Sequence, residues 1–282
     1  MFEFPKNIDI PLDEWVDLVM DWILNTFGGF FDMLGNFILQ FMLLVERFFL
    51  WIPWFILIAI VGVVSWRLMK RWYLGLLMAG MLFLIGCLGQ WEMAMMTLAL
   101  VVAAVITSLI IGLPLGIAMA SSNAFEASIK PLLDGMQTMP SFVYLIPALM
   151  LFGLGKVPAL FATIIYAVPP VIRLTNVGIR EVSKEVVEAA HSFGSSYWQI
   201  LFKVQLPMAR PTIMVGINQT TMMALAMVVV ASMIGARGLG LEVLLAINRI
   251  EVGRGFEAGL CIVFLAIVID RITYAISARK TN

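Results

Sequence analysis

The residues able to do covalent chemistry in this chain of 282 residues are few. His191 is the single histidine, and the two cysteines, Cys87 and Cys261, each sit inside a long apolar run. A structural metal site needs about four ligands, so no metal site is expected and His191 reads as an exposed or partner-contacting residue. The cysteines suit apolar packing, and no disulfide framework is expected. There is no glycine-rich lysine loop for phosphates, no His-Glu-x-x-His and no Gly-x-Ser-x-Gly. The chain itself is therefore not expected to hydrolyse a nucleotide or a peptide. What it offers instead is a surface for mechanical contact. Glu188-Ala189-Ala190 is followed, after three residues, by Gly194, after nine more by Val204, and after one more by Leu206-Pro207. Small alanines beside a glycine make a low knob that a groove on another protein can cover closely, with Glu188 as its charged rim.

A second set of residues is polar within apolar surroundings. Gln137, Thr138 and Tyr144 fall in one apolar stretch, and Asn218, Gln219, Thr220 and Thr221 in another. Buried polar groups of this kind either hydrogen-bond between helices or line a route for a solute. A weakly polar wall would let a solute pass without sticking. Asp134 and the Asp270–Arg271 pair stand near span ends, not at the mid-depth a proton or sodium relay would use. A third set is the loop 235–255, where Gly235, Gly238, Gly240 and Gly253 alternate with Arg237, Glu242, Arg249, Glu251 and Arg254. It is either a plain turn or a docking surface; docking is the favoured reading, with Arg237, Gly238, Gly240 and Arg249 as its candidates. Trp51, Trp54 and Trp91 read as interfacial anchors, not as an aromatic cage for a cation.

The elements that must hold these groups are set by composition. The chain is 62% hydrophobic and 13% charged, against about 25% charged in an ordinary soluble domain. Its mean hydropathy is +1.00. Basic and acidic residues cancel, so no global field points to nucleic acid. Seven apolar runs are long enough to cross a bilayer, at about 52–69, 73–91, 92–120, 131–152, 157–176, 211–234 and 256–276. The expectation is an all-α, polytopic transmembrane helix bundle, because open sheet edges are not tolerated in lipid. Residues 11–27 suit an interfacial helix with Asp13, Asp17 and Asp21 on one face. Residues 30–50, with Asp32, Asn36 and Gln40 in a polar stripe, read as an eighth span or a second in-plane helix. Acidic residues occupy the place of a basic signal n-region, so no signal peptide is expected.

Basic loops stay cytoplasmic. If the span at 52–69 runs inward, Arg67, Lys70, Arg71, Lys130, Arg173, Arg180, Lys184, Lys203, Arg210, Arg271, Arg279 and Lys280 gather on one side. Only Arg47, Lys156, Arg237, Arg249 and Arg254 gather on the other, with Lys6 left to the N-terminal tail. That bias places 177–210 and the C-terminus in the cytoplasm. Within the cytoplasmic stretch, Ser183 is positioned to cap a helix that Glu185 and Glu188 favour, and Gly194 permits a break. Ser196 with Gln199 has capping-box spacing, and Pro207 limits the helix that follows. The middle spans carry Pro114, Pro131, Pro140, Pro147, Pro158, Pro169 and Pro170. These read either as ordinary kinks or as broken helices lining a path that opens and closes.

The string from Glu188 to Pro207 resembles the EAA loop of permease subunits of binding-protein-dependent ABC importers, with Val204 where isoleucine is common. Leu132-Leu133-Asp134, Gln137-Thr138-Met139-Pro140, Tyr144 and Pro147, then Phe202 to Pro207, Gly216-Ile217-Asn218-Gln219 and Gly235 to Gly240 are similar to permeases for glycine betaine, proline betaine and related osmoprotectants. The resemblance covers about residues 90–275. It implies the type I ABC importer permease fold, with seven strong spans and a possible eighth, in the plasma membrane of a prokaryote. It implies a homodimer of permeases, two cytoplasmic ATPase subunits that hold ATP and Mg, and an extracytoplasmic binding protein; this chain itself binds no cofactor. It implies that Glu188, Ala189, Ala190, Gly194, Leu206 and Pro207 couple to the ATPase. Organisation then follows as an N-terminal region 1–51, two accessory helices 52–91, a core 92–276 with the loop 181–207, and a tail 277–282. The cargo is a compatible solute; the rival readings are a permease for choline, carnitine or an amino acid, or an ion-coupled secondary transporter.

Overall fold

The computed structural model describes residues 11–278, so Lys6, Arg279 and Lys280 of the charge count, and the tail beyond Ala278, lie outside the described residues. Everything regular within them is helical. Five helical stretches are long and apolar enough to cross a membrane, and a bent pair makes six.

The N-terminal region is one helix, not two. α1 runs over Leu12–Trp51, 40 residues, or about 60 Å at 1.5 Å per residue. Gly28 and Gly29 do not interrupt it, because glycine is only mildly unfavourable inside a helix. Its C-terminal part is held by burial of Met42, Val45 and Glu46. Asp32 and Asn36 of the polar stripe line an open cavity of about 790 Å³ whose other wall is formed by residues 151–158.

α2 (Trp54–Met69) and α3 (Trp72–Cys87) form an apolar hairpin of 16 residues in each arm. At about 24 Å each falls short of the ~30 Å hydrocarbon core. The expected spans at 52–69 and 73–91 are thus shorter helices, packed on the long C-terminal helix α13 (Val252–Ala278) through Leu57, Met78, Leu82, Cys261 and Leu265. α4 (Trp91–Ser121) is a 31-residue helix that passes through Pro114 unbroken.

The run at 131–152 is where the expectation of a single straight span fails. α5 (Asn123–Thr138) begins earlier, and its continuation, a 3₁₀ turn Ser141–Tyr144 leading into α6 (Leu145–Phe152), is bent from it by 111°. Pro140 is the cause: it removes one backbone donor and pushes Met139 into extended geometry, ψ 137. α7 (Lys156–Ala167) and α8 (Pro169–Arg180) make one 25-residue stretch, because Pro169 and Pro170 fall in the first turn of α8, where proline costs no bond.

After α9 (Lys184–Ser192), helix resumes at α10 (Tyr197–Ile200) and runs through a π turn at Leu201–Gln205 into α11 (Leu206–Ser232). The sixth strong run therefore starts at Tyr197, not at 211. Pro207 does not end a helix here. Its ring and missing N–H are absorbed by the wider turn just before it, the usual physical origin of such an irregularity. α12 (Leu239–Arg249) then precedes α13. The core lies where α4, α7 and α11 meet, filled largely by alanines such as Ala99, Ala103, Ala104, Ala162, Ala167, Ala224 and Ala231. Small residues let these backbones approach closely, which is how helices associate where lipid removes the hydrophobic drive. A Cβ at Gly116 would stand 2.7 Å from the Ile172 carbonyl oxygen, so α4 and α8 touch there backbone to backbone.

Candidate coupling elbow and membrane path

α9 has no buried residue. Glu188 and Ala189 are exposed and Ala190 is half-buried, while Val187 alone anchors the helix, in a cluster with Ile179, Val182, Leu201, Leu206 and Ala209. A nine-residue helix is too short to stand by itself in water, so this one depends on Val187 and on the segments flanking it, and offers its other face to whatever covers it. Gly194 supplies the break, with φ +77, a left-handed conformation that side chains resist. Beside it Phe193 is 90% exposed, and His191 is exposed with it. The expected caps divide. Gln199 Oε1 accepts from the Ser196 N–H at 2.8 Å, which starts α10. Ser183, by contrast, occupies the N-cap position of α9 without a side-chain bond. Leu206 is half-buried and Pro207 exposed, so the end of the string lies at the foot of α11.

The expected path residues are split between two settings. Gln137 and Thr138 are exposed at the end of α5, just before the bend, and Gln219 is exposed on α11. Tyr144 is buried behind the bend, where its hydroxyl donates to the Met136 carbonyl oxygen and its ring meets Tyr166 at 6.1 Å. Thr221 is buried and bonded to Ile217 of its own helix at 2.8 Å. Asn218 Nδ2 donates to Asp270 Oδ1 at 3.0 Å, joining α11 to α13. Asp134 pairs with Arg173 of α8.

At the opposite end, the candidate docking residues also divide. Arg237 and Arg249 are exposed, whereas Gly238 and Gly240 are buried in packing. A Cβ on Gly240 would lie 2.5 Å from the Val228 carbonyl oxygen, and the Leu239 N–H next to Gly238 donates to Thr97 Oγ1 at 2.8 Å. These glycines seat α12; the arginines face outward from it. Arg254 is engaged by Glu242 at 2.7 Å and by Glu251 at 3.4 Å.

Residues 112–282 match the family described as "binding-protein-dependent transport system inner membrane component". The chain belongs to that family. Over 99% of both chains it is 50% identical to the glycine betaine/carnitine transport permease protein GbuB of Listeria monocytogenes. It is 46% identical to the glycine betaine/proline betaine transport system permease protein ProW of Escherichia coli, over 97% of this chain and 77% of that one. Among solved structures, an inward-facing form of the MetNI methionine ABC transporter superposes with a TM-score of 0.61, covering 68% of this chain and 96% of that one at 19% identity. The fold is that of an ABC importer permease, and the chain is a multi-pass membrane protein.

The region that matches the inner membrane component family holds the elbow, the bend and α12, while α1, α2 and α3 lie before it. Two groups of residues in the structure escaped sequence reasoning. Glu46 and Lys156 join α1 to α7, and Arg180 gathers Met119, Asn123, Glu126 and Asn176. The only signal for either was a charge at the edge of an apolar run.

Proposed function

We propose that this chain is the membrane-spanning permease of an ATP-driven importer for a compatible solute such as glycine betaine or proline betaine. The observation that carries the reading is α9, a helix with no buried residue held beside a left-handed glycine. Two copies pair in the membrane. Two cytoplasmic ATPase subunits, which hold the ATP and Mg, grip α9 and Gly194, and an extracytoplasmic binding protein delivers solute to the face that bears Arg237 and Arg249. The C-terminus is cytoplasmic. The names of similar proteins support the cargo class; choline, carnitine and amino acids are its rivals.

In the mechanism, closure of the ATPase pair drags α9 and favours an outward-facing arrangement of the two bundles; hydrolysis restores the inward-facing one. The solute passes the bend between α5 and α6, where Gln137 and Thr138 offer exposed polar groups and Tyr144 holds the turn; Gln219, exposed on α11, adds a further polar group, while Asn218 and Thr221 are engaged between and within helices. Weak contacts suit this role, since a tight site would slow release. The test is co-expression with a candidate ATPase, purification, and hydrolysis assays in vesicles with the binding protein. Betaines should stimulate hydrolysis more than choline, carnitine or amino acids. An ion gradient driving uptake without ATP would overturn the reading.

A further inference from the structure

We propose that Arg180 is a positioning residue that fastens the coupling elbow to the helix carrying the bend, so that movement of α9 reaches the solute path through α5. The idea rests on the importer reading above and adds a second attachment, distinct from the elbow's contact with a partner.

Arg180 is the last residue of α8, three positions before Ser183. Its guanidinium makes four contacts at once. Nη2 donates to the Met119 carbonyl oxygen at 2.8 Å and lies 3.1 Å from Glu126 Oε2. Nη1 donates to Asn123 Oδ1 at 2.7 Å, and Nε to Asn176 Oδ1 at 2.9 Å. Asn176, nearly fully buried, completes the ring by donating to Glu126 Oε1 at 2.8 Å. Met119 belongs to the last turn of α4, and Asn123 and Glu126 to the first turn of α5. A planar fork with five donors can satisfy such a set where a lysine cannot.

The other arm of the elbow reaches the same place. The Tyr197 hydroxyl, at the start of α10, hydrogen-bonds Ser121 Oγ at the end of α4. Both flanks of α9 are thus bonded to the α4–α5 junction. α5 is in turn held along α8 at both ends, by Glu126 to Arg180 and by Asp134 to Arg173. A displacement of α9 pulls on a helix that ends in Gln137 and Thr138, just before the 111° bend.

The experiment uses the whole transporter in vesicles and reads the amount of solute moved per ATP hydrolysed, beside the melting temperature of the complex. Arg180→Gln should lower that ratio by about tenfold, the scale of ordinary coupling energies. Arg180→Lys, which keeps the charge facing Glu126 but not the fork, should fall between the two. Tyr197→Phe and Ser121→Ala each delete one hydroxyl with little risk to folding, and should lower the ratio several-fold. Uptake and hydrolysis falling in parallel with the melting temperature, at constant ratio, would mean a purely structural clamp and overturn the proposal. So would an unchanged ratio in all four variants while Gly194→Val lowers it, a result that leaves the importer reading standing. If Gly194→Val also leaves the ratio unchanged, the elbow's part in coupling falls with the proposal; uptake without ATP hydrolysis is the separate result that would overturn the importer reading.

Discussion

Lys156 Nζ lies 2.6 Å from one carboxylate oxygen of Glu46 and 2.8 Å from the other. The pair joins the first turn of α7 to the last turns of α1, and both side chains are largely enclosed, at 21% and 10% exposure. Around it α1 packs on the core through the buried Met42 and Val45 and the partly buried Ile38, Phe41 and Phe49, and Phe31 meets Phe152.

Removing one partner of such a pair leaves a buried charge, which costs about 3–5 kcal/mol. Glu46→Leu or Lys156→Met alone should therefore lower the melting temperature in detergent and loosen α1, read as faster proteolysis between residues 12 and 40. The double variant should recover most of the loss, because a matched apolar pair is often as stable as the ion pair it replaces. Equal damage from the single and double variants would show that the two charges act separately.

Gly194 has open space where a Cβ would be, so a substitution there is opposed only by its φ of +77. A β-branched residue resists that region, while asparagine enters it more easily. Gly194→Val should disconnect uptake from hydrolysis, and Gly194→Asn should retain most of the wild-type ratio. Glu188→Lys, which reverses the rim charge without touching the backbone, should weaken capture of the ATPase and so reduce both. Parallel uptake and hydrolysis assays check all three; equal behaviour of Val and Asn would remove backbone geometry from the explanation.

Much of this elbow was legible in the sequence because it is local. Gly194, Ser196 and Gln199 act on neighbours within a few residues, so their chemistry does not depend on the rest of the fold. The bend at Met139–Pro140 was hidden because 131–152 is apolar enough on average to read as one span despite Asp134, Gln137 and Thr138, and a proline inside such a run is compatible with a kink or a break. Pro114 sits inside an unbroken helix and Pro140 at a break, and only packing distinguishes them. The continuity of α1 across Gly28 and Gly29 was hidden for the converse reason, since composition changes there while the backbone does not. Apart from the Arg180–Asn176 bond, the clamp joins residues 50 to 61 positions apart. Spacing along a chain carries no signal for that.

Asn218 separates the two readings of polar groups in spans. Its amide nitrogen is bonded to Asp270, which points to a tether between α11 and α13. Asn218→Asp should set two carboxylates against each other and destabilise the protein by about 1–3 kcal/mol. Adding Asp270→Asn restores a donor–acceptor pair in the reversed sense and should restore stability. Solute concentration for half-maximal stimulation of hydrolysis should stay near wild type in the repaired protein. A large shift there, with stability intact, would instead put Asn218 on the solute's route.

Arg237 and Arg249 stand exposed at the two ends of α12, while the neighbouring Arg254 is engaged by Glu242 and Glu251. Exposed charges at a docking rim steer encounter more than they add affinity, and salt screens them over about 8 Å at physiological ionic strength. Arg237→Gln with Arg249→Gln should therefore raise, by several-fold, the binding-protein concentration that half-stimulates hydrolysis. The effect should shrink as salt is raised, because wild type loses its steering too. Arg254→Gln should behave differently. Glu242 is 8% exposed, so losing its partner strands a buried carboxylate and should lower the melting temperature whatever the salt. Titrating binding protein at low and high ionic strength, with melting curves for each variant, distinguishes steering from structure at this face. A salt-independent loss of stimulation in the double variant would place these arginines within a dry contact and not at its rim.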